Sequence, residues 1–160
     1  MRKVKLLILS LCIGFLLVSC ATTSTKAAAF PGMYEEKPTV MLIMPPINNS
    51  NYVDAKDYFY TTMNVPLAEA GYYVLPPAAT LATMQRESAY DSERFIDGDV
   101  RRFGKIFGAD VAIFTIIQGW EKSVIGSAVI IEIEYVFKST KTIEVLYRRK
   151  ARLNCDTSSN

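Results

Sequence analysis

Two continuous apolar runs constrain this chain most. Residues 39–44 (TVMLIM) and 111–117 (VAIFTII) carry no charge and are rich in strand formers. Runs of this kind suit strands buried on both faces. Pro45-Pro46 ends the first run abruptly, and the following Ile47-Asn48-Asn49-Ser50-Asn51 is turn chemistry, whose short polar side chains bond their own backbone. Residues 55–70 place Tyr58, Phe59, Met63, Leu67 and Ala70 at three- and four-residue spacing, the stripe of an amphipathic helix. Asp54 or Asp57 suits its first turn, Pro66 should kink or split it, and Gly71 should stop it.

A second short strand is expected over residues 72–75, ended by Pro76 and Pro77. Pro77 can open the next helix, which carries Leu81 and Met84. Residues 90–98 read as a polar link, after which Asp99 caps a third helix that Gly108 ends. Residues 128–138 alternate, with Val129, Ile131, Ile133, Tyr135 and Phe137 on one face and Glu132, Glu134 and Lys138 on the other, as in a half-buried antiparallel strand. Ser139-Thr140-Lys141 turns into a last strand over residues 142–149, where Ile143, Val145 and Tyr147 oppose Glu144, Leu146 and Arg148. The expected fold is α/β: a mixed sheet with a parallel βαβ core, C-terminal antiparallel strands and helices packed on it.

The N-terminus has a different character. Arg2, Lys3 and Lys5 precede an apolar segment, residues 6–18, too short to span a bilayer, which takes about 20 apolar residues. It closes on Leu17-Val18-Ser19-Cys20, the lipobox pattern of a bacterial lipoprotein signal peptide. Cleavage is expected between Ser19 and Cys20, with a diacylglyceryl group on the Cys20 thiol. Ala21, where an Asp would favour the inner membrane of a Gram-negative cell, points to the outer membrane. The expected organisation is a signal peptide (1–19), a lipidated flexible tether (20–37), an α/β domain (38–152) and a disordered or truncated tail (153–160). Within the tether, residues 21–29 are threonine- and alanine-rich and have little to bury.

Catalytic chemistry is thinly represented. The chain has no histidine, hence neither the commonest general base nor the commonest neutral metal ligand. Once Cys20 is lipidated and Cys12 removed with the leader, Cys155 is the remaining thiol, so no internal disulfide or structural zinc site is expected. No glycine-rich phosphate loop follows the first strand. Asp91, Glu93, Asp97 and Asp99 read as a solvated loop, and Glu132 and Glu134 as the polar side of a strand. Removal of Arg2, Lys3 and Lys5 leaves fifteen basic residues against sixteen acidic, a balance without a nucleic-acid footprint. The basic cluster Arg148, Arg149, Lys150 and Arg152 reads as a solvated strand end, contact with anionic lipid or an acidic partner being the alternative. No cofactor, metal or enzymatic activity is expected. Tyr58 and Tyr60 flank Phe59, so at least one leaves the apolar stripe, which makes this helix a candidate protein contact.

Three blocks carry a family resemblance: Met44-Pro45-Pro46-Ile47-Asn48-Asn49-Ser50, Pro66-Leu67-Ala68-Glu69-Ala70-Gly71-Tyr72-Tyr73-Val74, and Phe107-Gly108-Ala109-Asp110. With the lipobox they resemble a family of bacterial lipoproteins of unknown function typified by a meningococcal genome-derived surface-antigen candidate. The resemblance implies a fold similar to the N-terminal domain of TolB and to the periplasmic part of the curli-secretion lipoprotein. It also implies an outer-membrane lipoprotein facing the periplasm that oligomerises or joins companion lipoproteins of a curli-like secretion system, without enzymatic activity. Relatives continue past the last strand into a glycine-rich segment and a further helix. The ending here is either a natural shortening or a truncated reading frame, and Cys155 falls within it. Candidate contact residues are Pro45, Pro46, Asn48, Asn49 and Ser50 in the strand-ending loop, with Tyr58, Tyr60, Tyr72 and Tyr73. The alternative function is a peptide- or small-ligand-binding periplasmic module, in which an exposed sheet edge accepts an extended peptide.

Overall fold

The computed structural model describes residues 25–122 and 128–156. The leader, Ser19 and Cys20 lie outside the described residues, as do residues 157–160. The expected strands form one sheet in the order β3-β1-β4-β5-β6: β1 (Val40–Ile43), β3 (Tyr73–Val74), β4 (Val111–Lys122), β5 (Ala128–Ser139) and β6 (Val145–Asp156). β1 pairs in parallel with both β3 and β4, while β4–β5 and β5–β6 are antiparallel. The architecture is therefore the mixed α/β sheet expected.

Pro45-Pro46 interrupts β1 without ending its course. The chain rejoins the same side of β4 as β2 (Ile47–Asn48), with Ile47 opposite Ile116, after β1 has paired with residues 111–113. Proline lacks the N–H that a ladder needs, so the two residues form a gap between two short parallel ladders.

Helices cover both faces. On one, α3 (Ala55–Tyr60) and α4 (Asn64–Glu69) bring Leu67, Tyr60 and Met63 onto Met41, Ile43, Val111, Ile113 and Phe137. On the other, α5 (Pro77–Arg86), α6 (Ser92–Ile96) and α7 (Arg101–Phe107) bring Met84, Phe95 and Phe103 onto Leu42, Met44, Ala112, Phe114 and Val136. The β1–β3 and β3–β4 crossovers run in opposite directions across the sheet, so a single handedness places them on opposite faces. This is why β1 and the first half of β4 are buried on both sides.

The helix expected over residues 55–70 is split at residues 61–63, and Pro66 lies in the first turn of α4, where its missing N–H is harmless. Gly71 (φ 92°) and Gly108 (φ 67°) end α4 and α7 in left-handed backbone. The supposed polar link at residues 90–98 contains α6, because Phe95 and Ser92 are buried, Phe95 stacking edge-on against Phe103 at 5.0 Å.

The expected domain boundaries are corrected at both ends. Residues 26–36, assigned to a flexible tether, form α1 (Lys26–Ala29) and α2 (Pro31–Glu36). Phe30 packs on Tyr147 at 4.4 Å, and the Glu36 carboxylate accepts hydrogen bonds from Ser139 Oγ (2.7 Å) and Thr142 Oγ1 (2.8 Å). Residues 153–156, assigned to the tail, continue β6 in register with residues 128–131. The last strand also starts later than expected, at Val145. Leu146 is buried and Val145 exposed, because a bulge opposite residues 137 and 138 reverses the expected alternation.

β5 is not simply half-buried. Its second half has helices above and below, and Glu134 and Lys138, expected on a solvated face, are both 5% exposed. Lys138 Nζ donates to the carbonyls of Ile96 (2.9 Å) and Gly98 (2.7 Å) at the end of α6. Burial lowers its pKa despite nearby Asp97 and Asp99.

Candidate interaction surface

The loop after β1 is organised around Asn48. Its Oδ1 accepts from Ser50 N–H (3.0 Å) and Ser50 Oγ (2.7 Å), while its Nδ2 donates to Tyr52 O (2.8 Å). Pro46 is buried, and the Pro45 carbonyl accepts from Ser92 Oγ at 2.5 Å. These residues lock the loop to itself and to α6, leaving Asn49 and Asn51 exposed. Asn49 Nδ2 reaches Gln118 Oε1 at 3.4 Å.

The candidate tyrosines divide. Tyr60 donates its hydroxyl to Pro77 O at 3.0 Å, and burial raises its pKa. Tyr72 packs half-buried against the Leu67–Phe137 cluster. Both serve packing. Tyr58 and Tyr73 are exposed, but Tyr73 stands on the edge strand β3, whereas Tyr58 joins an aromatic group at the far half of β4.

That group is the most distinctive surface of the molecule. The Tyr52 ring stacks on Trp120 at 4.5 Å, Tyr58 lies 6.1 Å from Tyr52 and 6.0 Å from Trp120, and Phe59 meets Trp120 edge-on at 6.1 Å. Underneath lie Ala55, Phe59, Ile117, Ile131 and Ile133, all buried. Beside it in sequence, Val53 is 85% exposed, and Tyr58 itself is 59% exposed. The apolar interior thus continues outward as an accessible aromatic face, the composition that protein contacts favour.

Periodicity alone does not place Trp120 in this group. By strict alternation, residue 120 points to the opposite face from Ile117. A bulge between Ile117 and Gly119 shifts the register, so Ile117 pairs with Ile133 and Trp120 with Ile131 on the same face. Gly119 is the sole sequence signal of that bulge.

The opposite face of β5 and β6 is charged. Arg148 Nη1 reaches Glu134 Oε1 at 3.0 Å, Gln118 Nε2 donates to Glu134 Oε2 at 3.3 Å, and Arg152 lies 3.7 Å from Glu132. These carboxylates serve cross-strand pairing. The other acidic set does not converge: Glu93 faces Lys56 at 3.6 Å, while Asp99 is held by Arg101 at 2.7 Å, which lowers its pKa to about 2. Among the described residues no group of three or more His, Cys, Asp or Glu is placed to hold a metal, and no helix is long and apolar enough to cross a membrane.

Residues 29–160 match the family described as "Putative lipoprotein GNA1162-like". "Putative lipoprotein NMB1124/NMB1162" of Neisseria meningitidis serogroup B is 27% identical over 119 residues, which cover 74% of this chain and 55% of that protein. The chain thus spans about half the length of that curated relative. The crystal structure of lipoprotein GNA1162 from the same species aligns with a TM-score of 0.67 at 21% identity, covering 77% of this chain and 87% of that one. The LpoB C-terminal domain from Salmonella enterica aligns at 0.54 with 14% identity, over 72% of this chain and 82% of that one. A PelC dodecamer subunit from Paraburkholderia phytofirmans aligns at 0.51 with 8% identity, over 76% and 75%. At these identities the likeness to solved structures is one of fold. The match over most of the described sequence makes this chain a member of the GNA1162-like lipoprotein family.

Proposed function

We propose that this chain is a non-catalytic, lipid-anchored accessory of an envelope assembly, held to the outer membrane at Cys20 with its α/β body in the periplasm. It works by self-association or by docking to companion lipoproteins of a curli-like secretion system. The lipobox and the family membership support the anchor, and the shared fold of a dodecameric PelC supports assembly as a use of this architecture. The observation that carries the reading is the aromatic group of exposed Tyr58 with half-buried Tyr52 and Trp120, above a buried apolar cluster. Interfaces concentrate their binding energy in such anchors.

A photo-crosslinking residue at Tyr58 in intact cells should give discrete adducts with a second copy or with another envelope protein. Val53→Asp with Tyr58→Asp should abolish assembly without unfolding the domain, since both residues are exposed. A wild-type protein that is monomeric at high concentration and yields no adduct overturns the proposal. A second reading, peptide binding by strand addition, is favoured by one observation: β6 ends the sheet.

A further inference from the structure

The two edges of the sheet differ greatly. β3 contributes two residues, whereas β6 runs from Val145 to Asp156 beside β5. α2 packs against the beginning of β6, so closely that a Cβ on Gly32 would sit 2.8 Å from Leu146 Cδ2. From Arg149 onward, among the described residues, the backbone of β6 bonds to β5 and to no other element. A long strand edge of this kind presents a row of unpaired N–H and C=O groups, a template for another strand.

The side chains select what can pair there. Arg148, Lys150 and Arg152 alternate on one face of β6, across from Val136, Glu134 and Glu132. Two carboxylates answer three cations: Glu134 is bonded to Arg148 and Glu132 lies near Arg152, while Lys150 takes part in no ion pair among the described residues. Arg149 adds a fourth positive charge on the other face. A cavity of about 410 Å³ opens over this stretch, lined by Gln118, Glu132, Ile133, Lys150, Ala151 and Arg152. Pairing of β6 with β6 of a second copy would set this cationic segment against itself, and like charges directly opposite destabilise a ladder. The edge therefore excludes its own copy and suits the opposite charge pattern.

We propose that β6 from Arg148 to Asp156 docks an extended acidic segment of another protein by strand addition. The partner strand hydrogen-bonds to the open edge, and Asp or Glu at every second position faces Arg148, Lys150 and Arg152. Successive residues on one face of a strand are about 6.7 Å apart, so the acidic residues fall at i, i+2 and i+4. The inference deepens the reading that the chain works by docking to other proteins, but it uses a different surface from the aromatic face.

The probe is a capped peptide of about ten residues alternating Glu and Val, a length matched to a typical strand, titrated into the soluble mature chain. NMR amide shifts and slowed exchange confined to residues 148–156 and the facing strand are expected, with affinity falling as salt rises. Lys150→Glu should weaken binding by about tenfold, the effect of turning a cross-strand attraction into repulsion. N-methylation of the peptide amides facing β6 should abolish binding, while N-methylation of the alternate amides should spare it. Equal binding of a peptide of the same composition with its glutamates in one block, or insensitivity to both N-methyl patterns, overturns strand addition. Binding of phosphatidylglycerol vesicles without any peptide binding overturns it in favour of a membrane-facing basic patch, and a β6–β6 dimer overturns the charge argument. Val53→Asp with Tyr58→Asp should leave peptide affinity unchanged, so loss of the aromatic contact and loss of the strand edge are read separately.

Discussion

Asp110 joins three elements with one carboxylate. Its Oδ2 accepts from the N–H groups of Thr39 (2.9 Å) and Val40 (3.0 Å) at the start of β1, and its Oδ1 meets Lys141 Nζ at 2.8 Å in the β5–β6 turn. Burial works to raise its pKa, yet Lys141 and the two N–H donors hold it below the ordinary carboxyl value. A depressed folded-state pKa gives stability that is present above pH 3.8, the unperturbed value, and is lost as pH falls through the folded pKa. Asp110→Ala should cost about 2 kcal/mol in urea titrations at neutral pH and flatten the loss of stability on acidification. Equal acid sensitivity of the variant and the wild type would refute this role. The residue belongs to Phe107-Gly108-Ala109-Asp110, one of the blocks that carry the family resemblance. The other two are similar in kind: Asn48 closes the loop after β1, and Gly71 turns the chain into β3. What these blocks share is the shaping of strand ends. Their positions were legible from proline, glycine and asparagine, whose local conformations need no distant partner. The carboxylate's partners were not, because Thr39 and Lys141 lie far from Asp110 in sequence.

At the scale of elements, the N-terminal helices show how an unpromising composition becomes ordered. Residues 25–29 have little to bury, but Thr25 Oγ1 accepts from Ala28 N–H at 3.3 Å, Pro31 opens α2, and Phe30 and Met33 contact Tyr147 and its apolar cluster. The order comes from the Phe30 and Met33 contacts and one carboxylate, Glu36, rather than from helix propensity. Phe30→Ala should therefore release α1 and α2 while the sheet stays folded. Hydrogen exchange should show lost protection confined to residues 26–36 and the start of β6, and proteolysis should cut before Lys37. Global unfolding by this change would place Phe30 in the core of the fold instead. β1, β3, β4 and β5, part of β6, and the helices α3, α4, α5 and α7 are legible in the sequence because apolar period and punctuating prolines act locally. Not legible are α1 and α2, α6, whose single turn and a half depends on Phe95 finding Phe103, and both ends of β6, the first displaced by a bulge and the second paired with residues 128–131.

At the scale of the whole molecule, the three long strands outrun the helices that cover β1. The aromatic face and the charged face sit on opposite sides of their far half, while α1 and α2 lie at the near end, against Tyr147. With lipid at Cys20, the five residues to Thr25 reach at most about 18 Å, so the body would lie close to the membrane. Cys20→Ser should move the protein from the membrane to the soluble fraction of fractionated cells and abolish labelling by radioactive palmitate, without changing its thermal unfolding. Unchanged fractionation would refute the anchor. The sequence alone determined the apolar strands, the turn positions and the mixed α/β class, since these follow from steric and hydrophobic preferences acting over a few residues. The tertiary structure alone decided that Trp120 joins Tyr52 and Tyr58, that Glu134 and Lys138 are buried, and that Glu36 clasps the β5–β6 turn. Each of these depends on strand register or on partners many residues away, which periodicity along one segment does not encode.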